Sequence, residues 1–458
     1  MSHDEFSSMA LSFLQKLLQF DTSNPPGDEQ EAIQWIAAEL DKARISYEIV
    51  GLEESRPNLI ATLTDPGERA IALLSSHVDV VPVEEPSSWK VPPFSAREAD
   101  GCLWGRGALD MKYKTAYDLA LFCHFKKHYG KLPLKAAFLA DEEADATHGS
   151  QFVVSEHRAL VDADVVLNEV GGFNLPIAGK TFFPIQVGEK GSFHYRLHAH
   201  GTPGHASIPY GTSSIQALAR ALTCIEDNFF GYSLCDAAKQ FLDKIAQSVE
   251  QPAKQLFTAL GNPASAEQAL SLIDDAQLRA QIRAMICNTI AATRISGGFK
   301  LNVLPEAAFC DLDCRLSPAT SSADFTALLQ QFFERALEIG GHRELAAQLQ
   351  IECVRGTPGY EVSSTHPLIT QIADRTQSAW EELGVFGRSV PMLLPASSDN
   401  AHYAAAGMLP VGCAPLFFPP DFPGFALAHS VNERIPVDGF KRGLAVYSRI
   451  VAALLGMP

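Results

Sequence analysis

Imidazole and carboxylate side chains recur along this chain at the ends of apolar, strand-like runs, and their types suit metal-assisted hydrolysis. SSHVDVV (75–81) closes one such run and places His77 and Asp79 two residues apart, hence on one face of a strand. GRGALDMK (105–112) puts Asp110 in a glycine-rich turn just before a helical pattern. LADEEAD (139–145) sets Glu142 beside Glu143 at the end of a buried strand, where adjacent carboxylates are unfavourable unless a cation neutralises them. LNEVGG (167–172) repeats the device with Glu169, and AHSVNER (428–434) offers His429 in a loop before the last helix. Taken singly, the His–x–Asp pair also reads as a structural contact and Asp110 as a helix cap. As a set they match what a two-zinc hydrolytic site requires, two imidazoles and three carboxylates about ions roughly 3.5–4 Å apart. One carboxylate must bridge, one Glu must stay unliganded as base, and further acids must orient the imidazoles.

The elements that must position these groups follow from periodicity. Phe6, Met9, Ala10, Phe13, Leu14 and Leu17 fall on one helical face, and Ile33, Ile36, Ala37 and Leu40 mark a second helix. Short β-rich runs at 47–50, 59–63, 71–81, 134–140 and 162–168 alternate with helical stretches, notably 112–129. This is the signature of an α/β fold with a mostly parallel sheet flanked by helices. Such sheets bind ligands at the carboxyl ends of their strands, where the acidic groups would converge. The character changes near residue 190. Strand 192–201, a helix from about 213, strands 288–298 and 307–318, a helix at 322–338 and strand 349–356 give the split βαβ order of a separate antiparallel domain. The expected organisation is therefore a catalytic domain at 1–190 and 362–458, interrupted by an inserted lid or dimerisation domain at 191–361. Residues 223–287 would be a helical insertion within it.

Composition bounds the partners. The chain has 458 residues, 47% of them hydrophobic, with a net charge of −17. An acidic surface of this kind repels phosphate backbones and anionic lipid, so neither nucleic acid nor a membrane is expected. The nine Cys have no CxxC pair, and the start MSHDEF lacks a basic, then apolar, leader pattern. Both favour a cytoplasmic protein with reduced thiols.

The motifs together resemble the zinc-dependent aminoacylase and carboxypeptidase family, over about residues 5–455, with the SSDNAHY and HSVNERI strings and the long insertion leaning toward the carboxypeptidase S branch. The resemblance implies His77 as a ligand oriented by Asp79, Asp110 as the bridging ligand, Glu142 as general base, and Glu143, Glu169 and His429 as the remaining ligands. One zinc would take His77, Asp110 and Glu169; the other would take Asp110, Glu143 and His429. Two Zn²⁺ per chain are implied, with Co²⁺ or Mn²⁺ as substitutes. HGTPGHASIP (200–209) implies His205 as a substrate-carbonyl contact, often supplied by the partner of a homodimer. GGFKLNVLPEAA (297–308) and DCRLSP (313–318) imply Asn302 and Arg315 near the substrate carboxylate, with a strand ion pair as the other reading of Arg315. The implied activity is hydrolysis of a peptide or N-acyl amide bond beside a free carboxylate, in a dipeptide or N-acyl amino acid, by a metal-bridging hydroxide. Two alternatives remain open: a co-catalytic aminopeptidase, and a metal-binding relative without catalysis. The chain departs from the family where Val170 separates Glu169 from the glycines and where ASSDNAHY (396–403) replaces the usual glycine-rich string, leaving Asp399 aligned.

Overall fold

The computed structural model describes residues 3–225 and 229–457. Two compact units are present. One comprises Met1–Val187, Val362–Pro391 and Ser398–Pro458, and the other comprises Gly188–Glu361 and Met392–Ser397.

In the first unit the central sheet runs in the order Ser46–Val50, Asn58–Thr62, Leu134–Leu139, Ala70–His77, Ala163–Asn168, Pro410–Gly412 and Lys180–Glu189. Its four middle strands pair in parallel, while the pairings toward both edges are antiparallel. The parallel strands are apolar on both faces, as helix-covered strands must be. Three of them end where the chemistry begins: Ala70–His77 at His77, Leu134–Leu139 just before Asp141–Glu143, and Ala163–Asn168 just before Glu169.

Helix Lys112–Tyr129 packs beneath this edge, and its first turns are wholly buried. Burial of its polar residues is compensated by specific bonds. Lys114 Nζ donates to Asp118 and to the Ser75 carbonyl, and Thr115 Oγ1 donates to the His77 carbonyl at 3.1 Å. These bonds pin the strand end that bears His77. The long terminal helix Val437–Leu454 lies against it through Tyr117, Phe440 and Tyr447. Gly443 permits that approach, since a Cβ there would stand 2.7 Å from the Tyr117 hydroxyl.

The strand expected over 71–81 stops at His77, so Asp79 is not its in-strand neighbour. Beyond His77 the chain turns and is held by exchange with the 22–24 loop, Val80 N–H donating to Thr22 and Asn24 N–H donating to Val80.

The second unit carries an antiparallel sheet in the order Phe229–Tyr232, Cys287–Gly297, Ala307–Leu316, Gly191–His200 and Leu349–Thr357. Helices Ser214–Leu222 and Ser322–Ile339 cover one face, burying Tyr195, Leu197, Leu218, Leu312, Phe325 and Leu329. This is the βαββαβ order expected from the pattern, with one additional edge strand at Phe229–Tyr232. Residues 236–286 form four helices, Asp236–Ser248, Ala253–Leu260, Ala266–Ser271 and Ala276–Ile286. His194 and His198 point to the open face and pair with Asp313 and Glu352. They are strand residues with ionic partners.

Candidate metal centre

His77, Asp110, Glu142, Glu143, Glu169 and His429 come together in the first unit. His77 Nδ1 lies 3.1 Å from the Asp79 carbonyl oxygen, which can only accept, so Nδ1 carries the proton. Nε2 faces Asp110 Oδ1 at 3.3 Å, Glu142 Oε2 at 3.8 Å and Glu169 Oε2 at 4.0 Å. Burial works against the charged imidazole, but Asp110, Asp79 and Glu142 raise His77 well above its ordinary value. The other oxygen of Asp110 faces His429 Nε2 at 3.0 Å, and His429 Nε2 is 3.1 Å from Glu143 Oε2. Asp110 thus turns one oxygen toward each imidazole.

Asp79, fully buried, organises the turn that carries both glutamates. Its Oδ1 accepts from Glu142 N–H at 3.2 Å; its Oδ2 accepts from Glu143 N–H at 3.0 Å and from Asn24 Nδ2 at 2.9 Å. Burial pushes this carboxyl upward, but His77, Asn24 and Glu143 outweigh burial and hold it below the usual carboxylate range. Glu433 performs the matching task for Asp110. It accepts from Leu109 N–H at 2.7 Å, Asp110 N–H at 3.2 Å and Gly107 N–H at 3.0 Å, and it is paired with Arg106 at 2.7 Å. Arg106 also donates to the carbonyls of His429 and Ser430, so one guanidinium ties the Asp110 loop to the His429 loop. His429 sits there with φ +61, a conformation those bonds hold in place. Asp399 is buried nearby and accepts from Ser150 Oγ.

The electrostatics are those of an unneutralised acidic cluster. Burial, then the Glu169 charge, raises Glu142 well above its ordinary value; burial, then Asp110, does the same to Glu169. Burial and Asp110 push Glu143 up to about 7. Hydrogen bonds to Asp110 and Glu143 raise His429 to about 10. Asp110 is held below the usual range despite burial, by His429 and His77.

The donor set fits divalent cations. Ligand atoms of His77, Asp110 and Glu143 lie within 4.8 Å of one another, as do those of His77, Glu142 and Glu169. Two ligands bonded at ~2.0–2.1 Å to a tetrahedral ion stand about 3.3 Å apart, close to the Asp110–His77 and Asp110–His429 separations. Glu143 Oε1 is buried without a hydrogen-bond partner, as an oxygen shaped for an ion would be. Imidazole nitrogen with carboxylate oxygen, and no thiolate, suits zinc, cobalt or manganese.

The second unit holds the other expected residues. Gly204–His205 pairs with Val303–Leu304, and Ala206 N–H donates to the Asn302 carbonyl at 3.1 Å, so the His205 and Asn302 loops are adjacent. Ser207 N–H lies 3.2 Å from His205 Nδ1. A backbone N–H can only donate, so Nδ1 accepts and neutral His205 carries its proton on Nε2. Arg315 differs from the expectation of an open fork. Its Nε and Nη2 are engaged by Asp313 at 2.7 and 3.0 Å, and Nη1 donates to Ser397 Oγ at 3.0 Å. The strand ion pair is the contact the structure shows, because Asp313 lies two residues away on the same face of Ala307–Leu316.

The profile of peptidase family M20/M25/M40 matches residues 73–453. The chain belongs to this family. Among curated relatives, it is 28% identical over 388 residues to N-fatty-acyl-amino acid synthase/hydrolase PM20D1 of Mus musculus, covering 81% of this chain and 71% of the relative. It is 26% identical over 465 residues to aminoacylase-1A of Rattus norvegicus, covering 98% and 96%. It is 35% identical over 223 residues to succinyl-diaminopimelate desuccinylase of Paracoccus denitrificans, covering 46% and 52%. The fold matches the dipeptidase Dug1p of Saccharomyces cerevisiae with TM-score 0.70 at 17% identity, over 100% of this chain and 98% of that one. It also matches the metallo-carboxypeptidase Sso-CP2 of Sulfolobus solfataricus with TM-score 0.68 at 16% identity, over 98% and 99%.

Three residues that hold this site carry no local sequence signal: Asn24, Glu433 and Ser150. Their partners Asp79, Leu109 and Asp399 lie tens to hundreds of positions away.

The raised groups fix the sign of a pH effect. Glu143 at about 7 and His429 at about 10 retain protons near neutrality, and a cation binds only their deprotonated forms. Affinity for zinc is therefore expected to rise from pH 6 to pH 8, with release of at least one proton per chain. Titration calorimetry in buffers of differing ionisation enthalpy measures this. A binding enthalpy independent of buffer would contradict the assignment of these groups as ligands.

Proposed function

We propose that this hydrolase of peptide or N-acyl amide bonds is a two-metal enzyme that cleaves the bond next to a free carboxylate, in a dipeptide or N-acyl amino acid. The observation that carries the reading is Asp110, with one oxygen 3.3 Å from His77 and the other 3.0 Å from His429, as a ligand shared by two ions would be placed. His77, Asp110 and Glu169 would hold one cation; Asp110, Glu143 and His429 would hold the other. Zinc is the proposed ion, with cobalt or manganese as substitutes, and when bound the pair would polarise the scissile carbonyl and acidify water.

The chain's own groups then divide the work. Glu142, the first glutamate of the Glu142–Glu143 pair and 3.8 Å from His77, is proposed as the base on the strength of the family resemblance. It takes the proton of the attacking water and returns it to the leaving amine nitrogen. Asp79 keeps His77 oriented through Nδ1 and holds the backbone of Glu142 and Glu143 in place. His205, protonated on Nε2, is suited to donate a hydrogen bond to the developing oxyanion. Asn302 beside it is proposed as a substrate contact. Arg315 could grip a carboxylate only by exchanging Asp313 for the substrate, which makes it a specificity contact gated by that pair. The curated relatives whose names describe acyl-amino acid and aminoacyl hydrolysis support the amide reading over a non-catalytic metal-binding protein.

A homodimer is proposed on the exposed outer edge of Cys287–Gly297, where Phe229–Tyr232 covers only the first residues and the rest is solvent-facing. Unpaired sheet edges favour pairing with a second copy. The nine cysteines are all free thiols, which supports a reducing, cytoplasmic setting. No helix among the described residues is long and apolar enough to cross a membrane.

Glu142→Ala is expected to lower kcat on N-acyl amino acids or dipeptides by about 10²–10⁴-fold while both metals stay bound. Metal analysis beside a hydrolysis screen checks this, and loss of metal to the level of His77→Ala would make Glu142 a ligand instead. A second test concerns His205. Mixing His205→Ala with Glu142→Ala chains should restore part of the activity after verified subunit exchange if the imidazole acts on the partner's site. Unrestored activity would confine it to its own chain.

A further inference from the structure

A second buried ionic cluster, Glu29–Arg56–Asp141, stands behind the metal-binding carboxylates. Arg56 Nη2 lies 2.8 Å from Asp141 Oδ1 and 3.0 Å from Glu29 Oε1, and Arg56 Nε donates to Glu29 Oε2 at 3.3 Å. The three side chains are 8, 1 and 0% exposed for Arg56, Asp141 and Glu29. The loop at 22–29 is shaped around the guanidinium: a Cβ at Gly27, where φ is +81, would come 2.4 Å from Arg56 Cζ. A planar fork serving two carboxylates is a task for Arg, and Lys would supply charge without the second contact.

The cluster reaches the metal centre by two routes. Asn24 Nδ2 donates to Asp141 Oδ1 and to Asp79 Oδ2, each at 2.9 Å, so one amide links the two buried carboxylates. The second route is the backbone. Asp141 has φ +67, a left-handed conformation uncommon outside Gly, though Asp reaches it more readily than most. Its side chain helps hold it there, accepting from Arg56, from Asn24 and from His148 N–H at 2.9 Å. The turn directs the next two backbone N–H groups, those of Glu142 and Glu143, onto the two oxygens of Asp79. Both glutamates therefore inherit their placement from Asp141.

We infer that Arg56 and Asp141 are positioning residues for the catalytic turn: the guanidinium fixes Asp141, and Asp141 fixes the left-handed backbone that presents Glu142 and Glu143. This inference rests on the two-metal reading above and deepens it.

The test compares Asp141→Asn, Arg56→Lys and Arg56→Met with the wild-type chain. Three quantities are read: melting temperature, cobalt(II) affinity by visible absorption in competition with a chelator, and kcat and KM on a dipeptide or N-acyl amino acid that the wild type cleaves. Removing groups that orient metal ligands typically changes affinity or activity 10–100-fold. Asp141→Asn is expected to weaken the looser cobalt site by that factor and to lower kcat comparably, with KM within about threefold. Arg56→Lys should recover part of what Arg56→Met loses. A lower melting temperature with unchanged cobalt affinity and unchanged kcat would overturn the inference and leave the cluster as a fold-stabilising ion pair. If Arg56→Met does not fold, Asp141→Asn and Arg56→Lys decide. If the wild type binds two cobalt ions but cleaves no amide tested, the catalytic reading fails while the cobalt affinities still decide the positioning role. A wild type that binds no cobalt would overturn both.

Discussion

Mutual repulsion among buried carboxylates is the constraint on which this structure turns. Asp110, Glu142, Glu143 and Glu169 meet near the ends of three parallel strands, with the imidazoles of His77 and His429 among them. At ~4 Å and an effective dielectric near 20, one like-charge pair costs about 4 kcal/mol, several times the ~1 kcal/mol net gain of a typical hydrogen bond. Hydrogen bonding alone does not keep such a set ionised, and the upward shifts of Glu142, Glu143 and Glu169 express that deficit. Divalent cations bound there would remove it. On the proposed reading, the site and its ions would form one electrostatic unit.

The scaffold around the cluster can be understood as the means of holding like charges in register. Three anions act as brackets by accepting backbone N–H groups: Asp79 for the Glu142–Glu143 turn, Asp141 for the His148 backbone that follows it, and Glu433 for the Asp110 loop. Each bracket has its own partner, respectively His77, Arg56 and Arg106. Charge-assisted bonds to backbone amides are stronger than neutral ones and leave the ligand side chains free to face the ions. The sheet supplies the rest, since its parallel strands all deliver their carboxyl ends to one edge.

Much of this was legible in sequence because it is written locally. Apolar runs ending in Asp or Glu reveal strand ends, and the Glu142–Glu143 pair after LKAAFLA is implausible in a core without a cation. The alternation of 192–201 and 307–318 revealed the antiparallel sheet of the second unit. What escaped was carried by contacts between distant positions. Asp79 lies beyond the strand end, held by Asn24 from another loop, so the strand periodicity that placed it beside His77 was the wrong reason for a real proximity. For Arg315 the sequence left a substrate contact and a strand ion pair both open, and the structure shows the pair with Asp313, two residues away on the same strand face. Glu433 and Arg56 bond across hundreds and tens of residues, where no periodicity reaches.

The central claim is that these carboxylates and imidazoles form one site for two ions that share Asp110. Metal content after equilibrium dialysis against zinc near pH 7.5, measured by mass spectrometry on wild type and Asp110→Ala, tests it most directly. Two zinc ions per wild-type chain, falling well below one in Asp110→Ala with the fold intact by circular dichroism, is the expected result. A wild type that retains fewer than two ions, or an Asp110→Ala chain that still holds two tightly, would contradict it.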